Sequence, residues 1–278
     1  MLRLLNIELH KLKYNRSVKI ISIFYFLLIL AISLIASVEI PFAKVNFKFA
    51  DMGIFNFPFI WHFNTYVAGI LKILLAIVIV SLIANEYSHR TLKQNLIDGL
   101  SKKEFVLSKF ITIILFSLIS TVLVIIVSIV LGLIFSDYNE ASIIFSDLEY
   151  ILAYFIKLLG FFSFCLFLGV LVKRSAFALG FLLIWQLFEG IVFLILKFVI
   201  FRDTEIANKV ISFFPLESMS DLIKEPGTRL GAVQSIANQV GESFDKDYSV
   251  QPLTILIVLV WTFLFIYWSY LILKRRDL

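Results

Sequence analysis

The sequence predicts an all-α integral membrane protein. We expect six transmembrane helices, an N-terminal amphipathic interfacial helix and a cytoplasmic helical segment between spans two and three. Hydrophobic residues make up 60% of the 278 residues and charged residues only 16%, whereas soluble domains carry about 45–50% apolar and about 25% charged residues. The mean hydropathy is +0.97. Because a soluble fold of this size cannot bury so much apolar surface, the chain 1–278 is predicted to be one membrane domain.

Six apolar runs are close to the length of about 20 residues that a helix needs to cross the hydrocarbon core. The predicted spans are residues 20–38, 67–84, 110–135, 151–172, 176–201 and 253–273. Lys173, Arg174 and Ser175 alone separate the fourth run from the fifth, so these two spans are expected to form a tight hairpin.

The lysines and arginines predict the orientation of the chain. Fifteen of them lie in residues 1–19, 85–109, 173–175 and 274–278, and seven lie in residues 39–66, 136–150 and 202–252. Cytoplasmic loops carry an excess of basic residues. Both termini are therefore expected in the cytoplasm.

Residues 1–16 are expected to form an interfacial helix. The leucines fall on one helical face and the polar residues largely on the other, with Leu2, Leu5, Leu9 and Leu12 against Arg3, Asn6, His10 and Lys13. A basic amphipathic helix of this kind lies along the inner leaflet. The alternative is a basic head that only sets the topology.

Residues 202–252 form the longest segment between predicted spans and are expected outside the cytoplasm. The break at Phe213-Phe214-Pro215, a short helix over 218–224 and an amphipathic stretch over 230–240 are predicted within it. A structureless loop of this length would be unusual, so we expect the segment to pack on the outer mouth of the helix bundle.

The cytoplasmic segment 86–104 is patterned as two helical pieces. The first is expected from Glu86 to Ile97, and the turn signal Asp98-Gly99 ends it. Ser101 and Glu104 then form a capping box, which predicts that the third membrane helix begins in the cytoplasm. A rigid segment of this kind suits mechanical coupling to a soluble partner. An ordinary loop with helix caps is the alternative.

The same residues carry a resemblance to the permeases of ABC-2 type transporters. The residues that resemble the family signature are Glu86, Thr91, Leu92, Leu96, Ser101, Lys102, Phe105 and Lys109. Arg90 stands where the family usually has glycine, and Gly99 stands where it often has proline. The layout of an amphipathic N-terminal helix, six spans, a long outer segment before the sixth span and a basic C-terminal end is also similar to the family.

The resemblance implies a function and a set of partners. The chain would be the permease subunit of a bacterial ABC exporter in the cytoplasmic membrane, paired with a second permease chain as a homodimer or heterodimer. Segment 86–104 would be the coupling helix that docks on a separate ATP-binding subunit, with contacts expected from Glu86, Arg90, Thr91, Leu92, Lys93, Leu96, Ser101, Lys102 and Glu104. A secondary transporter, a membrane enzyme and a non-transporting scaffold or immunity protein are the alternatives.

The sequence offers no motif for catalysis, for a metal or for a cofactor. A phosphate-binding P-loop needs Gly-Lys, and the chain has no such dipeptide. His10, His62 and His89 lie in three separate segments, and Cys165 is the single cysteine. Because the basic residues are spread between apolar runs, nucleic acid is not an expected partner. We therefore expect no enzyme activity in this chain.

Three charged residues within the predicted spans are candidate functional residues. A charge at the centre of a bilayer costs about 2.5–3.5 kcal/mol on insertion scales. Glu189 is expected near the middle of span five, and Lys72 and Lys157 in the outer halves of spans two and four. One interpretation pairs Glu189 with one of these lysines inside the bundle. Contact of Glu189 with a substrate, and a protonated or solvated Glu189 without a special role, are the alternatives.

Overall fold

The computed structural model describes residues 2–37, 40–42, 45–47, 52–138, 140–201, 204–229 and 247–276. The predicted stretch 230–240 lies outside the described residues. The elements in chain order are α1 (Leu2–Tyr14), α2 (Arg16–Ser37), β1 (Ile40–Phe42), β2 (Val45–Phe47), α3 (Phe59–Ser88), α4 (Thr91–Ile97), α5 (Lys102–Phe135), α6 (Ala141–Ile144), α7 (Glu149–Val172), α8 (Ser175–Ile195), α9 (Thr204–Ile211), α10 (Pro215–Asp221) and α11 (Pro252–Arg275). A π-helical turn (Leu196–Ile200) continues α8, and a 3₁₀ turn (Gly227–Arg229) follows α10.

The all-α membrane fold is confirmed. Helices α3, α5, α8 and α11, and α7 together with α6, are each long and apolar enough to span a membrane. Helices α1 and α2 meet at 86° and make a sixth span if the bent pair is taken as one. Strands β1 and β2 form a short antiparallel hairpin in which Pro41 pairs with Asn46. Helix α3 begins at Phe59, well before the apolar run predicted from residue 67.

Helix α7 forms the centre of the bundle and packs against α3, α5, α8, α10 and α11. Two glycines allow the closest approaches. A Cβ atom on Gly160 would lie 2.8 Å from Val258 of α11, and one on Gly169 would lie 3.1 Å from Ile83 of α3. Because small residues let helix backbones approach in a membrane, these positions fix where α3 and α11 meet α7.

Three buried hydroxyl groups hold α2 against the bundle. The hydroxyl oxygens of Tyr25 and Ser120 are 2.6 Å apart, those of Tyr25 and Tyr154 are 3.0 Å apart, and those of Ser120 and Tyr154 are 2.8 Å apart. The three residues lie on α2, α5 and α7. A polar group without a partner is costly in an apolar interior, so this closed set favours one arrangement of the three helices.

The segment after α8 packs on the end of the bundle opposite α4. Helix α9 packs on α8, and α10 packs on α7, α8 and α11. The side chain of His62 donates a 2.8 Å hydrogen bond to the carbonyl oxygen of Lys224 and stacks on Tyr150, with ring centroids 4.3 Å apart. Arg229 forms an ion pair of 3.2 Å with Asp147. We call this end the α10 end and the opposite one the α4 end.

Candidate functional site

A buried charge network lies at the α4 end, where α1, α3, α4 and α5 meet. Its centre is Glu86 near the end of α3, which is only 4% exposed. One carboxylate oxygen, Oε1, accepts hydrogen bonds of 2.7 Å from the ammonium groups of both Lys11 and Lys109. The other oxygen accepts a 2.6 Å hydrogen bond from the hydroxyl of Thr91. Glu86 therefore connects three other elements of the structure.

Glu8 of α1 provides the second carboxylate of the network. The ammonium group of Lys109 lies 2.9 Å and 2.8 Å from its two oxygens, and the hydroxyls of Ser108 and Thr112 donate longer bonds to it. Glu8 and Lys109 are 2% and 3% exposed. Two carboxylates and two ammonium groups thus balance in charge. Because buried charges are stable only when paired and hydrogen-bonded, this network fixes α1 to α3 and α5.

The buried face of α1 differs from the expected leucine stripe. Leu4 and Glu8 are buried against the bundle, whereas Leu9 is exposed. Helix α1 lies at 86° to α2 and packs on the start of α5. Leu9 is consequently free to face lipid, whereas Leu12 packs against the main hydrophobic core and the side chain of Glu8 points into the protein.

Helix α4 is separate from α3, which corrects the prediction of one helical piece from Glu86 to Ile97. Helix α3 continues to Ser88, and the break comes at Arg90, which has a φ of 55°. A left-handed residue interrupts a helix. A glycine would adopt this conformation at lower cost, which accounts for the glycine that the family signature favours here.

Two contacts attach α4 to the membrane helices. The side chain of Leu92 is buried in the main hydrophobic core, and Thr91 is bonded to the carboxylate of Glu86. The opposite side of α4 carries the exposed side chains of Arg90, Lys93 and Ile97, of which Ile97 is 69% exposed. We call these three residues the α4 face. A basic, partly apolar face on an anchored helix can receive a protein partner.

The start of α5 has the predicted capping box. The hydroxyl of Ser101 accepts a 3.1 Å hydrogen bond from the backbone N–H of Glu104, and the carboxylate of Glu104 accepts one of 2.9 Å from the N–H of Ser101. Lys102 donates to the carbonyl oxygens of Lys274 and Arg276. The N-terminus of α5 is therefore also tied to the end of α11.

The structure divides the residues expected to contact an ATP-binding subunit. Arg90, Thr91, Lys93, Ser101 and Glu104 are exposed, Leu96 and Lys102 are half-buried, and Glu86 and Leu92 are buried. The side chains of Glu86 and Leu92 are enclosed by other helices, and their contact with an ATP-binding subunit stays a prediction. The sequence-based prediction also missed Glu8 and Lys11. Glu8 is the single acidic residue among residues 1–19, and that signal could have revealed it.

Glu189 is shielded inside the structure, as predicted, but its partners are not lysines. It is 1% exposed. Its carboxylate accepts a 2.6 Å hydrogen bond from the indole of Trp185 and bonds of 3.1 Å and 2.9 Å from the backbone N–H groups of Leu216 and Glu217. Glu189 therefore caps the N-terminus of α10, where an acidic group is favourable. Burial raises the pKa of Glu217, and the carboxylates of Asp221 and Glu189 raise it further.

Lys72 and Lys157 lie together at the edge of a cavity between α3, α7, α8 and α10. Lys157 is 4% exposed, and its ammonium group is 3.4 Å from the carbonyl oxygen of Ser220. The ammonium group of Lys72 lies 4.6 Å from the ring centroid of Phe161. Within the described ranges, no group of three His, Cys, Asp or Glu side chains is arranged to hold a metal ion.

A comparison with known protein families gives a match. A family model described as ABC-2 family transporter protein matches residues 53–272. No curated protein matches the chain. The matched range contains α3 to α10 and most of α11, and it leaves out α1, so Glu8 and Lys11 lie beyond it.

Proposed function

This chain belongs to the ABC-2 transporter family, and we propose that it is the membrane-spanning subunit of an ATP-driven exporter. A separate ATP-binding subunit docks on the α4 face. The observation that carries the proposal is the attachment of α4. One side of this helix is anchored in the hydrophobic core through Leu92, and the other side presents Arg90, Lys93 and Ile97 to solvent.

The network around Glu86 would transmit force from α4 to the membrane helices. Thr91 connects α4 to Glu86, and Glu86 is bonded to Lys109 of α5 and Lys11 of α1. A movement of α4 driven by the ATP-binding subunit would therefore displace α3, α5 and α1 together. Short ion pairs with little exposure to solvent suit this role, because they are weakly screened and hold one geometry.

Two ATP-binding subunits need two docking sites, and this chain offers one α4 face. The transporter therefore contains a second permease chain, either identical or a sister subunit, and the translocation path lies between the two. The complex is placed in the bacterial cytoplasmic membrane, with both termini and α4 in the cytoplasm. This orientation follows from the distribution of basic residues.

Charge reversal on the α4 face tests the docking site. We expect Arg90→Glu combined with Lys93→Glu to reduce the ATP hydrolysis that co-purifies with the tagged chain from its native membranes by at least tenfold. Both side chains are exposed, so insertion and thermal stability should remain close to those of the unchanged chain. The measurements are ATPase activity of the purified complex and identification of the co-purified subunit by mass spectrometry.

The matched control reverses two exposed charges at the same end of the bundle but away from the α4 face. Lys274→Glu with Arg275→Glu makes the same change in net charge on residues that are also exposed, and it should retain the ATPase. Full activity in the α4-face variant would overturn the docking assignment. A tagged chain that carries no ATP-binding subunit would favour a secondary transporter or a non-transporting scaffold.

Cysteine labelling tests the proposed orientation. With Cys165, which is buried, replaced by serine, we introduce Asn208→Cys on α9 or Lys103→Cys at the start of α5. Both positions are exposed. A membrane-impermeant maleimide should label Asn208→Cys on intact cells and Lys103→Cys only after the membrane is opened. The reverse pattern would place α4 outside and remove the proposed ATPase docking.

A further inference from the structure

The cavity beside Lys72 and Lys157 lies between α3, α7, α8 and α10, toward the α10 end. It has a volume of about 280 Å³. Its polar lining consists of Lys72, Lys157, Tyr66, Gln186 and Ser220. Gly69 lines it as well, and a Cβ atom there would lie 3.7 Å from Cε of Lys157. That distance is an ordinary van der Waals contact, so Lys157 lies alongside α3 at this position.

The cavity brings two lysine side chains together near a single carboxylate. Lys157 interacts electrostatically with Lys72 and with the carboxylate of Asp221. The electrostatic neighbour of Lys72 is the thiol of Cys165, which is a weak acid and carries no charge at neutral pH. When both amines are protonated, they exceed the one carboxylate by one positive charge, and a bound monoanion would balance that charge.

The rim of the cavity is apolar and faces outward. Ile70 and Ile73 of α3 and Leu183 of α8 line it and are all exposed on the membrane-facing surface. An anion that reaches this opening must therefore carry an apolar portion that can lie against these side chains. Free phosphate has no such portion and would have to leave water to enter. The combination of one buried amine, one half-buried amine and an apolar rim matches an amphiphile with an anionic head.

We propose that the cavity formed by Lys72, Lys157, Tyr66, Gln186 and Ser220 binds the anionic phosphodiester headgroup of a membrane phospholipid. The two ammonium groups hold the phosphate oxygens, and the tyrosine hydroxyl and glutamine amide lie where they can bond the remainder of the head. The acyl chains lie outside, against Ile70 and Leu183. This site is independent of ATPase docking, because none of its residues belongs to the α4 face or to the network around Glu86.

Lipid titration of the full chain tests the site. The delipidated protein in detergent is titrated with phosphatidylglycerol, with phosphatidylcholine and with inorganic phosphate, and bound lipid is counted by native mass spectrometry alongside thermal unfolding. We expect tight, saturable binding of one phosphatidylglycerol and weaker binding of phosphatidylcholine, whose choline offsets the phosphate charge. Lys72→Met and Lys157→Met should each weaken phosphatidylglycerol binding at least tenfold, and methionine keeps the apolar length of the side chain.

Lys197→Met is the matched control, since Lys197 is also a lysine near the end of a membrane helix but lies beside Phe193 and Phe198 instead of in the cavity. It should leave phosphatidylglycerol binding unchanged. If a methionine variant does not fold, Lys72→Arg and Lys157→Arg, which retain the charge, should preserve the preference for phosphatidylglycerol. Equal binding of phosphatidylcholine and phosphatidylglycerol by the unchanged chain would overturn the proposal. Unchanged affinity in the folded lysine variants, or equal stabilisation by inorganic phosphate alone, would also overturn it.

Discussion

Replacing Lys109 by methionine is expected to lower the free energy of unfolding by about 3–5 kcal/mol. Lys109 contacts both Glu8 and Glu86 at 2.7–2.9 Å, whereas Lys11 is 2.7 Å from Glu86 and 3.7 Å from Glu8. All three side chains are almost fully buried. Removal of the shared ammonium group leaves two enclosed carboxylates with Lys11 as the remaining cation of the network. That loss is far larger than the loss of a surface ion pair, which is about 0–1 kcal/mol.

Denaturant unfolding in detergent measures this effect, and the same helix supplies the control. Lys103→Met removes an exposed ammonium group and should change stability by no more than about 0.5 kcal/mol. The triple variant Lys109→Met, Glu8→Gln, Glu86→Gln removes the stranded charges and should recover part of the loss, because a neutral set is less costly to bury than an unpaired one. A loss below about 1 kcal/mol for Lys109→Met would show that water reaches the network.

The proposed coupling role predicts a second effect of the Lys109→Met substitution, on ATP hydrolysis. Its α4 face is unchanged, so a co-purified ATP-binding subunit should still bind, whereas transmission of force from α4 to α5 should fail. Retention of the subunit together with reduced ATP hydrolysis would separate docking from coupling. Loss of the subunit itself would indicate that the network only maintains the position of α4.

The membrane helices could be predicted from the sequence because their signal is local. A helix in lipid must satisfy its backbone hydrogen bonds internally, so a continuous apolar run is sufficient evidence for it. The capping box of Ser101 and Glu104 is local in the same sense, since both residues lie within one turn. The separation of α4 from α3 was harder to predict from the sequence. Its separation from α3 depends on the left-handed backbone of Arg90, a conformation that sequence seldom signals for arginine.

The charge network could not be predicted because its members are distant in sequence. Glu8, Glu86 and Lys109 are brought together by the packing of α1 on α5 and of α3 on α5. Only the family resemblance singled out Glu86 and Lys109, and it did not indicate which residues they would contact. Glu8 was missed because the leucine stripe of α1 predicted a helix that faces lipid, and a buried carboxylate was not expected on it. A single carboxylate in an otherwise basic N-terminal segment was the available signal, since an isolated charge near a membrane usually has a specific partner.

The depth of Glu189 could be inferred, but its partners could not. Its place within an apolar run required a polar partner, and two lysines in neighbouring spans were the evident candidates. The actual partners are backbone N–H groups at the start of α10. Backbone donors have no sequence signature, and they are available here only because Pro215 begins a helix that points its N-terminus at α8.

Glu189→Ala is expected to lower the free energy of unfolding by about 2–4 kcal/mol. The variant leaves the N–H groups of Leu216, Glu217 and the Trp185 indole without their shared acceptor, and hydrogen bonds to a charged group contribute about 1.5–3 kcal/mol each before the structure relaxes. Glu189→Gln should cost less, about 1–2 kcal/mol, because one acceptor oxygen remains while the amide group meets a donor. Leu187→Ala, two residues earlier and 67% exposed, is the control and should change stability little.

Two measurements distinguish capping of α10 from a lysine pair. Hydrogen exchange should show faster exchange of the Leu216 and Glu217 amides in Glu189→Ala, since these are the groups that lose their acceptor. In double-mutant cycles, Glu189→Ala combined with Lys72→Met or Lys157→Met should be additive within about 0.5 kcal/mol, because neither lysine is among the hydrogen-bond partners of this carboxylate. A coupling energy above about 1 kcal/mol with either lysine, together with unchanged exchange in α10, would restore the ion pair and reject the cap. Additive double-mutant cycles, together with faster exchange of the Leu216 and Glu217 amides, would identify Glu189 as the residue that holds α10 against α8.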